Sequence, residues 1–128
     1  MSLDGVRVLL VDDDPSILRA FSLFLACSHA HVDKARDATE AFSSYETHRP
    51  DVIVADYAMP GKTGIEFLQQ VRSRERSANT RTPAILISAI YGLDAAARAA
   101  GFDSYLTKPL DPDGLVSEIA RLAKQVTS

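Results

Sequence analysis

The sequence predicts an α/β fold, a parallel β-sheet covered by helices. Three observations predict it. Five apolar runs of strand length recur along the 128 residues, stretches of helical period separate them, and helix-start signals stand at the head of most of those stretches. The composition, 46% hydrophobic and 24% charged, is that of an ordinary globular chain and argues against disorder. The length sets one domain, 1–128, with a core over about residues 6–126.

Residues 6–11 form the first buried-strand run. Asp14 then caps a helix that takes Pro15 at its first position, sets Ile17, Leu18, Phe21 and Leu25 on one face, and ends near Cys27. Residues 31–35 make a short strand. Asp37 and Glu40 have the spacing of a capping box, opening a helix with Ala41, Phe42 and Tyr45 inward, and Pro50 closes the connection after it. Residues 52–55 are the third strand, followed by a Met59-Pro60-Gly61 turn. A second capping box, Thr63 with Glu66, starts a helix carrying Ile65, Leu68 and Val71 that frays over residues 73–82. Residues 84–87 are the fourth strand, and the alanine-rich 95–100 segment closes at Gly101 as a C-terminal cap. Residues 105–107 are the fifth. Asp111 and Pro112 start the last helix, whose Leu115, Ile119, Leu122 and Val126 recur on one face.

Several function classes fall away on counts alone. Fourteen Lys and Arg against seventeen Asp and Glu, a net charge of −3, provide no electrostatic footprint for nucleic acid, so direct nucleic-acid binding is not expected. The one cysteine, Cys27, excludes an intrachain disulfide framework and fits a cytoplasmic protein, and no nearby cation activates it. The longest nearly apolar stretch, residues 84–90, is far short of the roughly 18–20 needed to cross a bilayer, and no export signal precedes the first strand. His29 and His31 could share a strand face, but two imidazoles without a third ligand make a poor metal site, and both are expected at the surface.

In an open parallel sheet, ligands bind beyond the carboxyl ends of the strands, where the chain turns into helix N-termini. Strand one is followed by Asp12, Asp13 and Asp14, strand three by Asp56, strand four by Ser88, and strand five by Lys108 and Pro109. If strands one and three are neighbours, at least three carboxylates converge. Two such charges about 4 Å apart repel by about 4 kcal/mol at an effective dielectric near 20, so a cation must answer them. An all-oxygen donor set selects a hard ion, and few protein ligands with room left for phosphate favour Mg²⁺ over Ca²⁺.

These groups stand in four motifs in register: Leu10-Val11-Asp12-Asp13, the segment from Asp56 through Ala58-Met59-Pro60-Gly61 to Gly64, Ser88-Ala89, and Tyr105-Leu106-Thr107-Lys108-Pro109. Together they resemble the receiver domain of response regulators in two-component signalling, of the chemotaxis type, from about residue 6 to 126. The resemblance implies a flavodoxin-like doubly wound sheet in the order 2-1-3-4-5 with five helices. It further implies a signalling phosphoacceptor rather than an enzyme, one that assists its own phosphorylation and dephosphorylation. Asp56 would take a phosphoryl group from a histidine kinase or histidine phosphotransfer protein. Asp13, Asp56 and the backbone carbonyl of Ala58 would hold Mg²⁺, with Asp12 acting mostly through water. Lys108 would reach the phosphoryl oxygens, and Ser88 with Tyr105 would form a conformational switch that regulates an output domain or partner protein.

Each motif residue has an ordinary reading when taken alone: Asp14 as a cap, Asp56 as a turn residue, Ser88 as a satisfied hydroxyl, Tyr105 as a rim aromatic, Lys108 as a solvated charge. Only the constellation overturns these. A rival from another class is a Mg²⁺-dependent phosphohydrolase of the haloacid-dehalogenase type, because residues 11–16 also satisfy a strand followed by D-x-D-x-S/T, which would make Asp12 the nucleophile. That chemistry wants a further acidic group after a later strand, where this chain has Ser88 or Lys108. A third reading, a receiver fold that binds partners without phosphorylation, is disfavoured by the complete acidic, hydroxyl and lysine set. Two departures from the family pattern stand out. The 88–101 segment is about two residues short, which predicts a truncated or loosely held fourth helix and an altered signalling face. Ala58 and Ile90 lack polar side chains to steer water, which predicts slow self-dephosphorylation.

Overall fold

The computed structural model describes residues 2–127, with side chains through Lys124. Its strands are β1 (Arg7–Val11), β2 (His31–Ala35), β3 (Val52–Asp56), β4 (Ala84–Ser88) and β5 (Ser104–Thr107). All neighbours pair in parallel, in the order β2-β1-β3-β4-β5. The helices are α1 (Pro15–Cys27), α2 (Ala38–His48), α3 (Gly64–Ala78), α4 (Asp94–Ala100) and α5 (Pro112–Thr127). This is the doubly wound arrangement that the resemblance implied.

The central strands read as unbroken apolar runs because both of their faces are covered. Alternate residues feed two cores. Leu9, Val11, Ile53, Ala55 and Leu86 pack with Phe67, Leu68 and Val71 of α3 and with residues of α2 and α4. Val8, Leu10, Val52, Val54, Ile85 and Ile87 pack with Leu18 and Leu25 of α1 and with Leu115, Ile119 and Leu122 of α5. Val126, expected on that α5 face, lies outside the described side chains.

Helix starts follow the expected chemistry with one difference. Asp14 accepts from the Ser16 N–H at 2.9 Å, Asp111 from the Gly114 N–H at 3.2 Å, and Thr63 and Glu66 form a reciprocal capping box. The box expected at α2 is half formed: Asp37 accepts from the Glu40 N–H, but the Glu40 carboxylate turns to the N–H and guanidinium of Arg36. His29 and His31 do not share a strand face, since His29 sits in the turn before β2 with φ 75°.

α3 does not fray at residue 73. It continues to Ala78 and is closed by Asn79 in the left-handed region, φ 56°. Its last turns are held because Glu75, only 2% exposed, takes hydrogen bonds from Arg72, the Tyr45 hydroxyl and the Thr82 N–H.

α4 is short, at seven residues, with no side-chain cap at its start and only Ala97 and Ala100 buried. Alanine offers little area to hold a helix against the sheet. Amide hydrogen exchange should therefore proceed faster in α4 than in α5, whose Leu115, Val116, Ile119 and Leu122 are all buried. Equal protection of the two helices would contradict this account.

Candidate functional site

At the carboxyl edge of the sheet, β1 and β3 lie side by side, and their registered pairing brings the chain after Val11 next to the end of β3. Asp12 and Asp56 are both buried, at 4% and 5% exposure, while Asp13 is exposed. One oxygen from each of these three carboxylates lies within 4.8 Å of the others. Asp14 belongs to the helix instead: it caps α1, and its backbone N–H donates to Asp12 Oδ1 at 2.9 Å, which fixes the Asp12 side chain.

Lys108 follows β5 through a backbone bond from its N–H to the Ser88 carbonyl, and the Lys108–Pro109 peptide is cis. Its Nζ lies 3.3 Å from Asp56 Oδ1 and 3.5 Å from Asp12 Oδ2. Ser88, 1% exposed at the end of β4, accepts from the Ile90 N–H at 2.9 Å, and the Tyr105 hydroxyl donates to the Ile90 carbonyl. The two residues thus hold opposite ends of one exposed residue in the loop after β4. Ala58 stands exposed two residues beyond β3.

The charges do not balance. Burial, and next the Asp12 carboxylate, push Asp56 up to about 6, with Lys108 pulling the other way. Asp12 is also raised, chiefly by burial. Burial opposes the Lys108 ammonium, yet the carboxylates of Asp12 and Asp56 hold it above its ordinary value. One ammonium facing three carboxylates leaves a cluster short of positive charge, and its all-oxygen donors suit a hard divalent cation.

One residue of the site had no role assigned from the sequence. Gly64 begins α3, and a Cβ there would lie 2.3 Å from the Asp56 carbonyl oxygen. Its N–H also donates to the Tyr57 carbonyl at 2.9 Å. Only glycine lets α3 start this close beneath the end of β3. The available signal was a poor helix former placed inside a capping box.

Comparison with known proteins agrees with this geometry. Residues 8–120 match the response regulator receiver domain family. Response regulator Rre1 of Synechocystis sp. is 33% identical over 127 residues, covering 98% of this chain and 55% of its own length. TrcR, a transcriptional regulatory protein of Mycobacterium tuberculosis, is 31% identical over 94% of this chain and 46% of its own length. The chain therefore spans about half the length of these two curated relatives. Among solved structures, the receiver domain of Francisella response regulator 1452 superposes with a TM-score of 0.84 at 32% identity, covering 94% of this chain and 98% of that one. The chemotaxis response regulator CheY4 of Vibrio cholerae gives 0.82 at 31% identity, covering 91% and 98%. No described helix is long and apolar enough to cross a membrane. By the match over most of its length and by the order of its strands, the chain belongs to the response regulator receiver domain family.

Proposed function

We propose that this receiver accepts a phosphoryl group on Asp56 from a phosphohistidine of a histidine kinase or phosphotransfer protein in the cytoplasm, and switches conformation to regulate an output. The observation that carries the reading is the Lys108 ammonium lying between the Asp12 and Asp56 carboxylates, with Asp13 beside them. Asp12, Asp13 and Asp56, with the Ala58 carbonyl, would hold Mg²⁺, which when bound neutralises charge on the phosphoryl oxygens. The carboxylate of Asp56 forms the new P–O bond as the P–N bond to the donor imidazole breaks. Phosphoryl transfer asks a protein mainly for alignment and charge neutralisation. Lys108 is placed to supply neutralisation, and Gly64 with the end of β3 fixes the position of Asp56.

After transfer, the Ser88 hydroxyl hydrogen-bonds the phosphoryl group, which changes its hold on the Ile90 N–H and passes to Tyr105 through the Ile90 carbonyl. Because α4 is short, the surface formed by α4, β5 and α5 would signal in a modified form.

A small phosphodonor with Mg²⁺ tests the assignment. Intact-mass measurement should show one phosphoryl group on the wild type, none on Asp56→Asn, and none on the wild type with chelator. Uptake by Asp56→Asn equal to wild type would return the nucleophile to Asp12 and overturn the reading. A further expectation concerns lifetime. With Ala58 and Ile90 unable to orient water, the phosphoryl group should be lost slowly, and Ala58→Asn should shorten its half-life several-fold. Identical decay of the two proteins would remove that role from position 58.

A further inference from the structure

Two of the three histidines converge on one arginine at the edge of the sheet opposite the phosphoacceptor site. Arg7 opens β1, and its Nε donates to Asp33 Oδ2 of β2 at 2.8 Å. Its Nη2 lies 2.9 Å from Nε2 of His31 in β2 and 3.4 Å from Nδ1 of His48 in the last turn of α2. A guanidinium has no acceptor, and its terminal nitrogen carries two hydrogens, so both ring nitrogens must be accepting. Opposite tautomers follow: His31 carries its proton on Nδ1 and His48 on Nε2. Neither nitrogen can accept once its ring is doubly protonated, and the ring would then set a second cation against Arg7.

The surrounding charges decide which histidine matters. Asp51, ahead of β3, accepts from the Arg7 backbone N–H at 2.7 Å. Lys34 of β2 and Glu40 of α2 line the adjoining groove with Asp33 and His48, and Arg49 follows His48 in the chain. Protonated His31 would gain Asp33, whose Oδ1 is 3.5 Å from its Nε2, so its loss is partly offset. Asp33 also attracts a protonated His48, but only at longer range, since no carboxylate lies within 4.0 Å of His48 among the described residues. We propose that Arg7, His31 and His48 form a pH-sensitive latch: neutral imidazoles tie the end of α2 to the β1–β2 edge, and protonation of His48 opens it. The opening is local, since Ala41 and Tyr45 keep the rest of α2 in the core.

Nitrogen-15 NMR of the histidine rings and amide exchange test this directly. At about pH 7.5 His31 should appear as the Nδ1–H tautomer and His48 as the Nε2–H tautomer, since imidazole changes charge between about pH 5 and 8. On acidification to about pH 5.5, exchange in the last turn of α2, corrected for its intrinsic pH dependence, should quicken roughly two- to five-fold, the scale of one exposed charged contact. In His48→Gln, whose amide oxygen accepts from Arg7 at either pH, that quickening should vanish. Either ring in the other tautomer, or an acid response that survives in His48→Gln, overturns the latch.

Discussion

Asp56→Asn should make the ion-free protein more stable at pH 7 even as it removes phosphoryl uptake. Asp56 is pushed up to about 6, by burial first and by Asp12 next, against an ordinary 3.8. A carboxyl group whose folded value is raised binds protons more tightly in the folded state. Its ionisation therefore costs stability as pH rises through that value. Two units correspond to about 3 kcal/mol at most, and because Lys108 loses a partner the expected gain is about 1–3 kcal/mol. The same sign makes the ion-free wild type gain stability as pH falls from about 7 to 4, a window set by the folded and ordinary values, and Asp56→Asn should lose that part of the pH dependence. Mg²⁺ should act in the opposite direction, stabilising the wild type much more than the variant. Urea midpoints with chelator and with Mg²⁺ at these pH values decide it. A variant less stable than wild type in chelator would mean that the carboxylate cluster is not strained by its own charge.

The parts of this molecule legible in the sequence are those written in local patterns. Residues 8–11, 52–55 and 84–87 are apolar at successive positions because helices cover both sheet faces, and that alone separates this architecture from a half-solvated sheet. The site was legible for a related reason. A parallel sheet brings every strand end to one rim, so reading the residue after each apolar run is enough to assemble Asp12, Asp56, Ser88 and Lys108. What escaped the pattern depends on partners distant in sequence. Arg7 finds His31 and His48 at separations of 24 and 41 residues, and no periodicity encodes such pairs. Glu40 satisfies the capping-box spacing yet is drawn to Arg36, a competing donor one residue before the expected one. The polar segment of residues 73–82 resembles a frayed end, because a buried Glu75 is indistinguishable from an exposed one until Tyr45, Arg72 and Thr82 are seen around it.

That same Glu75 network carries the second large expected effect. Arg72 Nη1 lies 2.6 Å from Glu75 Oε1 and 2.6 Å from the Thr82 carbonyl, and its Nη2 is 2.8 Å from the Gly101 carbonyl that ends α4. Gly101 has to be glycine here: its φ is 103°, and a Cβ would lie 2.9 Å from Arg72 Nε, the one buried side-chain N–H without a partner among the described residues. Arg72→Ala should cost about 3–5 kcal/mol, because Glu75 keeps its burial and loses its cation. That is a large part of the roughly 5–15 kcal/mol of a typical domain. Arg72→Met combined with Glu75→Gln should cost clearly less than Arg72→Ala, since removing both charges leaves no unpaired ion, and this non-additivity separates a charge network from simple loss of packing. A second readout is specific to Glu75. Burial, and then its carboxylate, push the Tyr45 phenol up to about 12, so Tyr45 should ionise at lower pH in Glu75→Gln. Because Arg72 also grips the end of α4, its loss should speed amide exchange in α4 more than in α5. A double variant as unstable as Arg72→Ala, with Tyr45 titrating as in the wild type once Glu75 is neutral, would show that packing and not charge holds these helix ends together.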